Sequence, residues 1–290
     1  MALAGSPAVR AGRESDAAKA LPALWRDRAS IGIFHLSLGG ILRERGLSTG
    51  ERIAALLEES VGAWLPGEKQ RAELRVVVAP LSGVDGRIGS TRATTYQSVL
   101  KFHDADFDTR EDRERVFRAA TASGAFPGAF VPVELPGLGP CVDGGTVNNA
   151  PLKEAIADGA IDRIVVVTPH PLVIEEPRRP EGGLTLVGRI ADILINERLF
   201  RDLRKAEAVN GRLEALARLR RDGTLDDGQL EKVQRAVDLG EARRLEILEV
   251  RPTKELAGNP FSGFFSRDLR KAYLDAGRAA ATTALEHWAD

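Results

Sequence analysis

A carboxylate followed by two glycines, Asp143-Gly144-Gly145, closes the short apolar run Cys141-Val142 and precedes Thr146-Val-Asn-Asn-Ala-Pro-Leu152. An aspartate at a strand end, followed by glycines that let neighbouring backbone approach closely, is a carboxylate on display. Such a group suits general-base work, taking a proton from a hydroxyl or a water. The same three residues also suffice for a plain turn between strand and helix, and spacing alone favours the turn.

A nucleophile for such a base is harder to find. Gly46-Leu-Ser48-Thr-Gly50 has the form Gly-x-Ser-x-Gly, but an elbow serine needs an apolar strand running into the first glycine, and Arg43-Glu-Arg45 stands there instead. Ser48 and Thr49 are expected to be N-caps of a helix through Ile53, Leu56, Leu57 and Val61. Ser37, in His35-Leu-Ser-Leu-Gly39, lacks even the first glycine. The histidines His35, His103, His170 and His287 show no metal-ligand spacing, so no metal site is expected. Asp104, Asp106 and Asp108 open like a calcium loop, but Thr109 replaces the needed glycine and Arg115 the needed glutamate, so helix capping is the better account. A phosphate-cradling Gly-rich loop with a following Lys is missing, and no cofactor is expected.

These residues need elements to position them. Residues 15–29 and 51–61 read as helices, and Leu74-Arg-Val-Val-Val-Ala79 as a buried strand. Asp85-Gly86 signals a turn before the alternating run Thr94–Phe102, which predicts a hairpin. Thr109-Arg-Glu-Asp112 has capping character ahead of a helix carrying Val116, Phe117, Ala120 and Ala122. A strand stub at Cys141-Val142, a helix near 150–158 and the strand Ile164–Thr168 predict a parallel crossover in an α/β sheet. Leu199, Leu203, Ala206, Val209, Leu213, Leu216 and Leu219 fall on one helical stripe, and Leu245–Val250 alternates as a further strand. A last helix holds Tyr273, Leu274 and Leu285. Pro260-Phe-Ser-Gly-Phe-Phe265 with Arg267, Arg270 and Lys271 could touch lipid, although packing on the domain is the simpler account.

Composition narrows the class. At 290 residues, with 43% hydrophobic and 29% charged side chains and no apolar run of about 18 residues, the chain reads as globular rather than membrane-spanning. Forty-one basic against 42 acidic residues leave a net charge of −1, which gives no global field for nucleic acid, and no nucleic-acid partner is expected. One cysteine, Cys141, excludes a disulfide framework. With no secretory signal at Met1-Ala-Leu-Ala-Gly-Ser-Pro7, a cytoplasmic location is expected, with peripheral membrane contact open through the phenylalanine loop.

The ordered set Ala122-Ser-Gly-Ala-Phe-Pro-Gly-Ala-Phe-Val-Pro-Val133, Val142-Asp-Gly-Gly-x-Val-x-Asn149-x-Pro-Leu152 and the Val165-Val-Val167 strand resembles the second half of a patatin-like phospholipase domain. Asp192–Leu199 and Phe264–Arg270 resemble the C-terminal extension of bacterial relatives. The resemblance implies a three-layer α/β/α fold, with residues 1–170 as the phospholipase domain and 171–290 as an extension packed on it. It implies a lipid acyl hydrolase with a Ser–Asp dyad acting on an acyl ester, in which Asp143 matches the base and Gly144 and Gly145 complete the motif. The family's opening strand, oxyanion loop and Gly-x-Ser-x-Gly elbow have no counterpart before residue 15, so only the aspartate is expected in this chain. The alternative is a non-catalytic relative that binds lipid or protein.

Overall fold

The computed structural model of the chain describes residues 14–28, 50–59, 73–88, 90–127, 129–148, 151–152, 154, 161–173, 183–237, 239, 242–258 and 262–288. Seven α-helices and eight strands lie among them, a mixed α/β architecture with a central antiparallel sheet, consistent with a three-layer α/β/α domain. Two compact units emerge: residues 1–149, 180–191 and 257–275 in the first, and 150–179, 192–256 and 276–290 in the second.

The first unit is built on β1 (Leu74–Pro80), whose run of valines is buried on both sides. Strand β2 (Val84–Ile88) pairs with β3 (Thr91–Thr95) as a separate hairpin, and β4 (Ser98–Phe102) returns antiparallel along β1. Strands β5 (Val133–Leu135) and β6 (Gly139–Asp143) complete a four-stranded sheet in the order β4-β1-β6-β5. The predicted hairpin is thus two nested ones. Asp85-Gly86 is not the turn but lies inside β2, opposite Thr94 and Ala93, because the ladder runs on to the Ile88–Thr91 pair. The alternating run 94–102 is broken at Tyr96-Gln97, where the Thr95 hydroxyl accepts from the Gln97 N–H (3.3 Å) and competes with the ladder.

Two helices enter this unit early, α1 (Glu14–Arg28) and α2 (Glu51–Leu57). The N-cap of α2 is Gly50 in the left-handed region (φ 72°); Ser48 and Thr49, the expected caps, lie outside the described residues. Helix α3 (Arg110–Ser123) starts as its sequence predicts: Thr109 Oγ1 accepts from the Asp112 N–H (3.1 Å). Val116, Ala119 and Ala122 of α3 pack on Val76, Val78, Phe102, Phe107, Leu135 and Cys141, forming one core. Each fully buried Val or Phe there contributes about 1.5–3 kcal/mol relative to exposure.

In the second unit β7 (Arg163–Val167) pairs parallel with β8 (Glu246–Val250). Among the described residues β6 pairs antiparallel with β1 and β5, and β7 pairs with β8, so the expected parallel pairing of β6 with β7 is not among the strand pairs they form. Helix α4 (Gly183–Arg221) presents Leu199 and Leu203 to Leu152, Val166, Ile164 and Ile247, as the stripe predicts, whereas Leu219 at its end is exposed. Asn210 of α4 holds the entry to β8 with both arms of its amide: Nδ2 donates to the Leu245 carbonyl (2.7 Å) and Oδ1 accepts from the Leu245 N–H (2.8 Å). After α4 come α5 (Asp227–Ala236), α6 (Ser262–Phe265) and α7 (Arg267–Trp288).

Candidate functional site

Asp143 is the last residue of β6 and the N-cap of a 3₁₀ turn over Gly144–Thr146, as the strand-end reading anticipates. Antiparallel pairing sets it across from Val78 of β1, and its N–H donates to the Ala125 carbonyl (3.0 Å), just past the end of α3. One bond therefore joins two of the sequence segments that carry the family resemblance. The carboxylate Oδ1 accepts from the Gly145 N–H at 2.7 Å. Thr146 Oγ1 donates to the Asp143 carbonyl (2.6 Å), and the Gly144 carbonyl accepts from the N–H groups of Val147 (3.1 Å) and Asn148 (2.8 Å). The turn is stitched from both ends.

Gly144 explains why the first glycine is required. A Cβ on it would approach the Val77 backbone carbonyl to less than 3.0 Å, so only a residue without a side chain lets the turn cross β1 this closely.

Burial pushes the Asp143 carboxyl above the usual carboxylate range, and the Gly145 N–H pulls it partly back. Among the described residues no cation offsets this: Val78 pairs with it on β1 and Ser98 stands next across on β4. Among the described residues Oδ2 has no hydrogen-bond partner, and no hydroxyl reaches the carboxylate. The geometry offers a half-buried carboxylate with one oxygen fixed and the other available.

Beyond the turn, Asn148 is buried at 8% exposure, and its Nδ2 donates to Gln97 Oε1 (3.2 Å) at the break between β3 and β4. Neither residue announced itself in the sequence; only the pairing of segments 51 positions apart reveals them.

A cavity of about 830 Å³ lies elsewhere in the same unit, with Leu100, Phe102, Phe117, Val133 and Leu135 in its wall and Glu51, Glu111 and Arg118 among its charged lining. Asp143 is not among its described lining residues, so chemistry rather than cavity size identifies the candidate site.

Ser37, Ser48 and His35 lie outside the described residues, as do Asn149 and most of the helix expected near 150–158. Asp106 is a capping residue: its Oδ2 accepts from the His103 N–H (2.9 Å) and its Oδ1 meets Arg115 (2.9 Å). His103 comes within 3.5 Å of Glu73. No group of three or more His, Cys, Asp or Glu among the described residues could hold a metal ion. In the phenylalanine loop Phe264 packs edge-on against Trp25 (5.8 Å between centroids), and buried Arg270 donates to the carbonyls of Gly263 (2.6 Å) and Arg26 (2.9 Å). Phe265 stays largely exposed, and Phe261 lies outside the described residues.

The first unit is a mixed α/β fold that carries an aspartate on a Gly-Gly turn at the end of an interior strand of its sheet. The model of the patatin-like phospholipase family matches residues 2–156, just over half of the chain, and the protein belongs to that family of lipid acyl hydrolases. No curated protein matches the chain. Among the described residues no helix is long and apolar enough to cross a membrane.

Proposed function

We propose that the protein is a lipid acyl hydrolase in which Asp143 is the general base of a Ser–Asp dyad. The observation that carries this reading is the Asp143 carboxylate itself: partly desolvated, fixed through Oδ1 by the Gly145 N–H, with Oδ2 left for a hydroxyl. In the reaction Oδ2 takes the proton of a serine hydroxyl while the oxygen attacks the acyl carbonyl. The oxyanion so formed collapses with loss of the alcohol, which receives the proton from Asp143. Water, deprotonated by the same carboxylate, then releases the fatty acid and restores the serine. Backbone N–H donors would supply the oxyanion stabilisation. On this reading residues 1–170 carry the hydrolase domain and 171–290 an extension packed on it, in a cytoplasmic protein that meets lipid at a membrane surface.

The test is turnover of a short-chain aryl ester and of a phospholipid. It is measured on the 290-residue chain and on the polypeptide that includes any in-frame codons ahead of Met1. Asp143→Asn in whichever form is active is expected to lower turnover about 10²–10⁴-fold, the range for losing a general base. Full activity in a folded Asp143→Asn protein would reduce Asp143 to a turn former. Inertness of every form, with no labelling by a fluorophosphonate, would favour a lipid- or protein-binding relative without catalysis.

A further inference from the structure

We propose that Asn148, locked by Gln97, is the positioning residue for the Asp143 carboxylate. The proposal rests on the reading of Asp143 as a base and adds the device that aims it. Three observations meet here. The carboxylate is oriented by one donor, the Gly145 N–H, so its direction is only as fixed as that peptide. That peptide belongs to a short turn, Gly144–Thr146, closed from just beyond its end by Asn148, whose N–H donates to the Gly144 carbonyl at 2.8 Å. Asn148 is in turn anchored outside the turn, because its buried amide donates to Gln97 Oε1 (3.2 Å). A 3₁₀ turn of three residues is too short to be rigid alone, so an external tie decides whether it holds one conformation.

The tie has a cost that argues for a purpose. Asn148 Oδ1 is buried without a hydrogen-bond partner among the described residues. A buried amide that leaves one acceptor unmatched is worse for stability than an apolar side chain of similar size. Gln97 sits at the interruption of the strand run, where a continuous β3–β4 strand would have placed it in a ladder instead. Both departures from the most stable arrangement serve the same contact.

The experiment follows the Asp143 side-chain carboxyl by ¹³C NMR through a pH titration of the 290-residue chain, together with hydrogen exchange of the Gly145 amide. Loss of the tie frees the Gly145 N–H, so Asn148→Ala is expected to move the Asp143 titration upward and to speed Gly145 exchange about five- to tenfold. Gln97→Ala should do the same, and the double variant should shift no further than either single one. A purely structural role would lower the unfolding midpoint and leave the titration where it is. An unchanged titration in folded Asn148→Ala overturns the proposal, as does a shift in Asn148→Ala that Gln97→Ala fails to reproduce. If Asn148→Ala does not fold, Gln97→Ala, a change at a half-buried residue between strands, decides alone. None of these readouts needs turnover, so a failure of the base assignment, seen as an active Asp143→Asn protein, remains distinguishable from a failure of the positioning pair.

Discussion

The Val77 backbone carbonyl fills the space that a Cβ on Gly144 would need. The contact fixes how near the Asp143 turn lies to the central strand, and backbone cannot step aside as a flexible side chain can. Gly144→Ala is therefore expected to cost about 1–3 kcal/mol or more, through displacement of the turn from β1. A urea midpoint lowered accordingly, with the Gly145 amide shift altered, is the expected result; an unchanged midpoint would mean the turn has room to move.

Asp143 should trade stability for chemistry. Its folded pKa is raised, so the native state holds the proton more tightly than the unfolded chain, and stability falls as pH rises from the unfolded carboxylate pKa, about 3.9, through the folded value. Asn keeps an oxygen for the Gly145 N–H and carries no charge. Asp143→Asn is thus expected to be more stable than the wild type at neutral pH, with the difference vanishing in acid. Equal urea midpoints at both pH values would contradict the burial argument.

Asn210 offers a test in the second unit. Its amide completes both backbone groups of Leu245, much as a neighbouring strand would. Replacing it by Ala leaves a donor and an acceptor unmatched and should cost about 1–3 kcal/mol, while Asn210→Asp, which removes the donor and sets a carboxylate by the Leu245 carbonyl, should cost no less. Thermal melts of the two variants check the order.

Strand β7 exposes Val167 at 75% and Val165 at 49%, and β8 is its sole partner among the described residues. An uncovered apolar edge of this kind templates pairing with other chains. Val167→Lys is expected to reduce concentration-dependent self-association in light scattering, with stability changed by no more than about 0.5 kcal/mol. Undiminished association would place the sticky surface elsewhere.

Much of this was legible where local chemistry decides. Thr109 with Asp112 marks the start of α3, the valines of 76–78 mark a strand buried on both sides, and Cys141-Val142-Asp143 marks a strand end. The Asp85-Gly86 pair misled because a glycine inside a strand looks like a turn until its partner strand is known. Pairing of β1 with β4 around an inserted hairpin, and of β7 with β8 across some 80 residues, depends on contacts no window of sequence contains. The candidate site divides the same way: Asp143 and its turn to Asn148 could be read locally, whereas the bond to the Ala125 carbonyl and the tie from Asn148 to Gln97 join segments distant in sequence.

The cysteine of β6 has a use that does not depend on any role in catalysis. Cys141 is completely buried two residues before Asp143, and burial pushes its thiol above its ordinary pKa, so the native protein offers a thiol reagent neither access nor thiolate. Modification must then wait for β6 to come away from β1 and β5. As the chain has no other cysteine, the rate of labelling by a thiol reagent is a clock for the opening of the strand that carries the aspartate, readable without an engineered cysteine or an added tag.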